Sequence, residues 1–324
     1  MKKYLSFALA IVLLSCSKDD IKTEILTAKI SVLTLSDSTC LGEVNSIKRY
    51  KNSIFLSDSK NNRIIVLDSN LTLKHYIGNG TGDGPAEFLS SSKFTFLNDT
   101  LYVFGSPNGI SKFSINGAFI GYLHVQDMSN PNNLEICQDS IGQIFYSTMN
   151  EKPITKINLE GNKITSFGCA KTYNKKVNLF KSCTHLLKNK NILLSINLFD
   201  FSVDLFDFNG NFLKTIDYSA LPFLKSTING ADVLAQKHNG NRPYMVENVC
   251  VYQNHLFIQY CDHYENNNNG IIEFSIVKDQ LIFEKVYKLD PLVKSNNFGP
   301  FLVFNKKIII FEKDTGALKL YEYR

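Results

Sequence analysis

Cys16 is the residue whose neighbours most clearly specify a reaction. It follows Leu13-Leu14-Ser15, an apolar run that ends in a small residue immediately before a thiol. A lipoprotein signal peptidase reads that pattern, and the mature cysteine then carries acyl chains on its sulfur and on its new amine. The other reading is a secretory leader with an incidental cysteine.

Two further stretches carry residue types that could do chemistry. Gly78-Asn79-Gly80-Thr81-Gly82-Asp83-Gly84 has the glycine density of a phosphate loop, but such loops open a helix, and Pro85 argues against one here. A calcium turn of the Gly-Gly-x-Gly-x-Asp kind needs tandem copies, and this run stands once. The expectation is a flexible crossover, with Asn79, Thr81 and Asp83 as candidate contacts to a ligand or partner. Cys261-Asp262-His263-Tyr264-Glu265, with His255 nearby, offers metal-ligand types, and strand alternation would put 261, 263 and 265 on one side. No second Cys or His cluster completes a closed site, so no metal and no cofactor are expected. The bland alternative is a strand end leading into the loop tip Asn266 to Asn269. Finally, there is no Gly-x-Ser-x-Gly elbow, and the six histidines at 75, 124, 185, 238, 255 and 263 are dispersed. No catalytic residue is assigned from the sequence.

The segments that hold these residues follow from length and patterning. A chain of 324 residues, 44% hydrophobic and 20% charged, is far from the composition of a disordered tail. Met1-Lys2-Lys3 is a positive n-region, and Tyr4 to Leu14 is apolar apart from Ser6. That run has about half the ~20 residues a membrane-spanning helix needs. Residues 1–15 are therefore read as a lipoprotein signal peptide and 16–22 as a lipidated tether. The formal charge of +5 drops by two, to +3, when Lys2 and Lys3 leave with the leader. So small and scattered an excess excludes a nucleic-acid footprint.

Past the tether, short β-branched and aromatic runs alternate with Asn, Asp and Gly, without sustained helical periodicity. One unit recurs: strand, tight polar turn, stronger strand, loop, strand, Asn/Gly hairpin, strand. Its second strand reads Ser53-Ile54-Phe55-Leu56, Thr100-Leu101-Tyr102-Val103, Gln143-Ile144-Phe145-Tyr146, Asn191-Ile192-Leu193-Leu194, His255-Leu256-Phe257-Ile258 and Lys307-Ile308-Ile309-Ile310. The starts are 47, 43, 48, 64 and 52 residues apart, and four strands in ~40–50 residues is the size of a propeller blade. Asn and Asp in the preceding turns suit the positive φ of a tight hairpin. Residues 23–324 are thus expected to form an all-β, six-bladed β-propeller of four-stranded antiparallel blades. The last copy is one strand short, and the segment Glu24 to Leu35 is expected to complete it and close the ring.

The six-fold repeat, the Leu13–Cys16 motif and the segment Tyr76-Ile77-Gly78 through Gly84-Pro85-Ala86-Glu87-Phe88 resemble six-bladed β-propeller lipoproteins of Bacteroidetes type, a TolB-like and NHL-like group. That group commonly carries Gly-Pro-Gly-Glu-Phe at this point, and here Ala86 replaces the second glycine. Ser17-Lys18-Asp19-Asp20 resembles the acidic export tag of such lipoproteins, its other reading being a solvated tether. The resemblance implies an outer-membrane, lipid-anchored location on the cell surface and supplies little mechanism.

Six cysteines follow Cys16, at 40, 137, 169, 183, 250 and 261. An exported compartment permits disulfides, but Cys137 and Cys250 fall on innermost strands and Cys183 at the start of another, where a buried thiol is the simpler reading. The long step of 64 residues leaves an insertion from Ser219 to Met245, with a short helix expected over Ala231–Lys237. Lys237, His238 and Arg242 are its candidate contacts, and its alternative role is a packing lid. The functional expectation is a non-enzymatic binding or scaffold propeller for a protein, peptide or glycan, held to the membrane through Cys16. The alternative is a hydrolase or lyase working in the axial channel.

Overall fold

Successive side chains of a strand leave on opposite faces, and in this chain both faces are apolar. In the strand Ser53–Asp58, Ile54 and Leu56 enter one hydrophobic cluster and Phe55 another. In His255–Asp262, Leu256 and Ile258 likewise separate from Phe257. A sheet with two apolar faces must be covered twice, which radial packing of equivalent sheets achieves.

The computed structural model describes residues 21–89, 93–106, 109–125, 136–139, 141–148, 150–170, 172–173, 176–177, 184–237, 243–262, 267–291 and 297–324. The chain opens with β1 (Thr23–Leu26) and β2 (Ile30–Val32). Blade one is β3 (Val44–Tyr50), β4 (Ser53–Asp58), β5 (Arg63–Leu67) and β6 (Leu73–Ile77). Blade two is β7 (Lys93–Leu97), β8 (Thr100–Ser106), β9 (Gly109–Ser114) and β10 (Phe119–Leu123). Blade three is β11 (Ile136–Gln138), β12 (Ile144–Ser147), β13 (Ile154–Ile157) and β14 (Lys163–Phe167). A small hairpin, β15 (Thr172–Tyr173) and β16 (Lys176–Val177), precedes blade four, which is β17 (Thr184–Asn189), β18 (Ile192–Asn197), β19 (Ser202–Asp207) and β20 (Phe212–Asp217). Helix α1 (Leu224–Lys237) leads to blade five, β21 (Val246–Tyr252), β22 (His255–Asp262), β23 (Asn267–Val277) and β24 (Gln280–Leu289). Blade six has β25 (Phe298–Phe304), β26 (Lys307–Glu312) and β27 (Ala317–Glu322).

Each blade is a simple antiparallel meander. The first strands β3, β7, β11, β17, β21 and β25 neighbour one another in that order, and β25 returns to β3, so the ring is closed. The expected six blades, and every expected second strand, are present.

Closure uses the N-terminal segment, in two pieces. β2 pairs antiparallel with β27, Ile30 opposite Leu320 and Val32 opposite Leu318, and supplies the missing fourth strand of blade six. β1 instead runs parallel to β24, Thr23 opposite Val286 and Leu26 opposite Leu289, as a fifth strand of blade five. The expected single edge strand is therefore a strap across two blades. Between its halves the Ala28 amide donates to Asp290 Oδ1 at 3.2 Å and the Lys29 amide to the Leu320 carbonyl at 2.8 Å.

Turn chemistry repeats with the blades. Asp68 Oδ1 accepts from the amides of Asn70 and Thr72, Asn158 Oδ1 from Glu160 and Asn162, and Asp207 Oδ1 from Asn209 and Asn211, at 2.8–3.1 Å. Each side chain thereby nucleates its own hairpin. In the two-residue turns the left-handed φ falls not only on Asn98, Asp99 and Asn305 but also on Lys51, Lys190 and Gln253. Helix α1 begins earlier than expected, because Leu224, Thr227 and Ala231 form a buried stripe at helical spacing.

Candidate interaction face

Antiparallel meanders sort their connections by end. One end carries the turns between first and second strands, two residues long in every blade but the third, and the short hairpins between third and fourth strands. The opposite end carries the loops between second and third strands and all crossovers between blades, from 8 residues (290–297) to 28 (218–245). The two-residue-turn end is tied together from blade to blade. Tyr50 Oη donates to Asp99 Oδ1 at 2.9 Å, Arg49 lies over the Phe304 ring at 4.9 Å, and Tyr252 Oη donates to Asn305 Oδ1 at 2.8 Å.

The first crossover is internally bonded rather than flexible as expected. The Asn79 amide donates to the Ala86 carbonyl at 2.7 Å, Phe88 to Gly80 at 2.9 Å and Gly82 to Phe88 at 3.3 Å. Glu87 folds under the loop and accepts from the Gly84 amide at 2.8 Å, so that a Cβ on Gly82 would strike its carboxylate. Phe88 is fully buried against Phe113 and lies so close to Gly78, at φ +103°, that no side chain fits there. The glycines are thus used for close approach, not for an anion. Asn79, Thr81 and Asp83 sit exposed on this rigid loop, with the Thr81 hydroxyl 2.6 Å from the Asn62 amide group.

The long crossover is a helix laid on the seam between blades four and five. Leu224 and Ala231 join the core there with Tyr218, Met245 and Phe274, and Phe223 meets the rings of Tyr260 and Phe283 at 6.0 and 5.9 Å. The insertion therefore does pack as a lid, while Lys225, Asn229, Asp232, Val233, Gln236 and Lys237 form its exposed side. His238 and Arg242 lie outside the described residues, as do Cys16, Ser17, Lys18, Asp19 and Asp20, and also Cys183, His263 and Glu265.

Near the axis, cations reach across between blades. Lys48 donates to the Ile136 carbonyl at 3.3 Å and stands over the Phe94 ring, and Lys93 donates to the Asn45 carbonyl at 3.3 Å. At the loop-bearing end Glu247 pairs with Lys313 at 2.5 Å and lies 3.6 Å from the Cys261 thiol, and its carbonyl is 3.1 Å from His185 Nε2. These thiols are poor nucleophiles. Burial pushes Cys250 up to about 11, and burial with the Glu247 charge pushes Cys261 higher still. Cys250 faces Phe257 in the ladder, as counting outward from Gln253-Asn254 implies. Cys137 is also buried, whereas Cys40 and Cys169 are exposed. Among the described residues no group of three or more His, Cys, Asp or Glu side chains is placed to hold a metal ion, and no helix is long and apolar enough to cross a membrane.

Two features were not read from the sequence. The last residue of the second strand is a buried acceptor in several blades: Asp58, Asn197, Asp262 and Glu312. Asp58 bonds Asn61 Nδ2 at 2.7 Å and Arg63 at 3.2 Å, and Asn197 Oδ1 accepts from the Phe199 amide at 2.7 Å. The signal, an acid or amide six to eight positions into these four copies, was available. The second feature is a groove at the strap, built from both ends of the described chain, and no local pattern announces it.

Closed ring, four-stranded blades and strand-sharing closure define a six-bladed β-propeller. The family model described as 6-bladed beta-propeller matches residues 7–289, and the chain belongs to that family. Among solved structures, a Bacteroides fragilis protein assigned as exported has a TM-score of 0.60 at 12% identity, covering 93% of this chain and 98% of its own. Streptogramin B lyase has a TM-score of 0.53 at 15% identity over 91% of this chain and 87% of its own. The WD40 domain of Neurospora crassa Pan2 reaches 0.54 at 8% identity over 87% and 89%. At such identities the likeness is one of fold. No curated protein matches the chain.

Proposed function

We propose that the protein is an outer-membrane lipoprotein, anchored through Cys16 and displayed on the cell surface with Ser17-Lys18-Asp19-Asp20 as export tag. Its propeller binds a protein, peptide or glycan without chemical conversion. The observation that supports this most is the unequal distribution of connections. One end of the disk is reduced to turns locked to each other, while the other end carries every crossover, including the rigid loop of Asn79, Thr81 and Asp83 and the exposed side of α1 ending in Lys237. Loops on a rigid frame are where binding residues collect. His238 and Arg242 continue that surface in sequence. The near-axis lysines bonded to backbone carbonyls and the thiols raised by burial weigh against hydrolase or lyase chemistry in the channel.

The anchor is tested by Cys16→Ala, which should move the protein from the membrane fraction to the soluble one; undiminished membrane association would remove the lipoprotein reading. The binding face is tested with a photo-crosslinking residue placed at Asp83 or Lys237 and, as a contrast, at Asn52 or Lys306 in living cells. Adducts from the first pair alone are expected. Adducts from the turn end alone, or from neither, would sink the assignment.

A further inference from the structure

The strap lines a groove of about 920 Å³ with Lys22, Glu24, Ile25, Lys29, Lys285 and Arg324 among its walls. Its acids are already engaged. Glu24 takes Lys285 at 3.0 Å and the Arg324 amide at 3.0 Å, and Glu322 lies 3.9 Å from Lys307. That leaves Lys22 and Lys29 as a cationic excess on the rim, with the Arg324 guanidinium beside them and the Arg324 main-chain oxygen taking Lys285 at 3.1 Å. Apolar side chains stand beside them where a solvated edge would carry polar ones: Ile25 is 66% exposed, Ile30 46% and Leu33 55%. Both strap strands are the outermost of their blades.

We propose that this rim, and neither end of the disk, rests on a lipid bilayer: Ile25, Ile30 and Leu33 enter the interface, and Lys22, Lys29 and Arg324 meet lipid phosphates. The inference rests on lipidation at Cys16. Only residues 17–22 separate that cysteine from β1. Fully extended, the link spans at most about 25 Å. A domain of this length is roughly 50 Å across. The anchored rim is therefore held against the headgroups whatever the rest of the disk does. Basic and apolar side chains together are the composition that binds an anionic interface. With the strap down, the crossover end faces sideways and stays open to a partner.

The test uses the lipidated protein in vesicles of phosphatidylethanolamine with a minority of phosphatidylglycerol, probed with a membrane-impermeant amine reagent. Against the Cys16→Ala protein in solution, labelling of Lys29 and Lys22 should fall about fivefold. Lys163, exposed on the outer strand of blade three across the ring, should label equally in both. Equal labelling of Lys29 and Lys163 on protein that floats with the vesicles would overturn the docking and leave the anchor standing. Failure to float would remove the anchor and the docking with it. Lys22 lies close to the lipid in any orientation, so Lys29 decides. An I25D/I30D variant, changed only at exposed positions, should still float yet regain Lys29 labelling; persistent protection in that variant would also refute the contact.

Discussion

The seam between blades one and two and the seam between blades five and six both bury apolar side chains, but different chemistry fastens them. The first joins consecutive parts of the chain. It is an aromatic stack of Phe55, Phe88, Phe94 and Phe113, with Tyr50 stacked on Phe96 at 4.6 Å. The second must be completed by segments nearly 300 residues apart in sequence, and beside its apolar core it carries a chain of buried polar contacts. Asp290 accepts from Tyr321 at 2.7 Å, Lys319 at 3.2 Å and the Ala28 amide, and Lys319 also pairs with Glu312 at 2.7 Å. Within blade five, Glu273 accepts from Tyr287 at 2.6 Å and lies 2.8 Å from His255. A seam formed by neighbours in sequence needs only good packing. A seam that selects a distant strand needs register, which directional bonds between specific partners supply.

The largest effect is expected at the aromatic seam. Phe88→Ala should cost about 3–5 kcal/mol, since the cavity opens among fully buried rings. A thermal melt checks it, and a loss below ~1 kcal/mol would mean that the crossover, not the stack, holds these blades. At the closing seam, Asp290→Ala should cost about 2–3 kcal/mol, less than the loss of a lone buried partner because Lys319 keeps Glu312. The comparison is sharpened if this variant also exposes the strap to limited proteolysis while Phe88→Ala does not.

A third outcome follows from titration. Cys250 is raised by burial to about 11, and Tyr287 and Tyr321 are raised by burial and by Glu273 and Asp290 respectively. Groups raised in the fold stabilise it below their unfolded values and lose that contribution as pH climbs toward the folded ones. Stability should therefore fall from about pH 9 upward, with Cys250 alone accounting for a loss of roughly 1–1.5 kcal/mol by pH 10. These groups all border blade six, so alkaline unfolding should begin at the closing seam; amide exchange that opens blades one and two first would contradict this. The smallest effect belongs to the exposed Lys51–Asp99 pair, 2.5 Å apart at the turn end. Lys51→Ala should leave the melting temperature unchanged within error.

Much of this architecture was legible residue by residue. Runs such as Ile54-Phe55-Leu56 and Leu256-Phe257-Ile258 announce strands buried on both faces, and their recurrence counts the blades. The single edge strand inferred over 24–35 was half right, because Leu26 and Val32 show apolar edge positions without saying to which sheet each belongs. The early start of α1 was present in the spacing of Leu224, Thr227 and Ala231 but was masked by the polar residues between them. At the crossover loop, Gly78 and Gly82 look like freedom in the sequence and turn out to be space reserved for Phe88 and Glu87.

Local patterning, by itself, determined the strands, their hairpins and their number, because alternation and turn chemistry act over a few neighbouring positions. Which blade received β1, which acids neutralised which lysines at the strap, and which cations remained on its rim were decided only when the ring closed. Those contacts join positions such as Glu24 and Lys285 that share no local pattern, and their energies arise from burial and distance, which exist only in three dimensions.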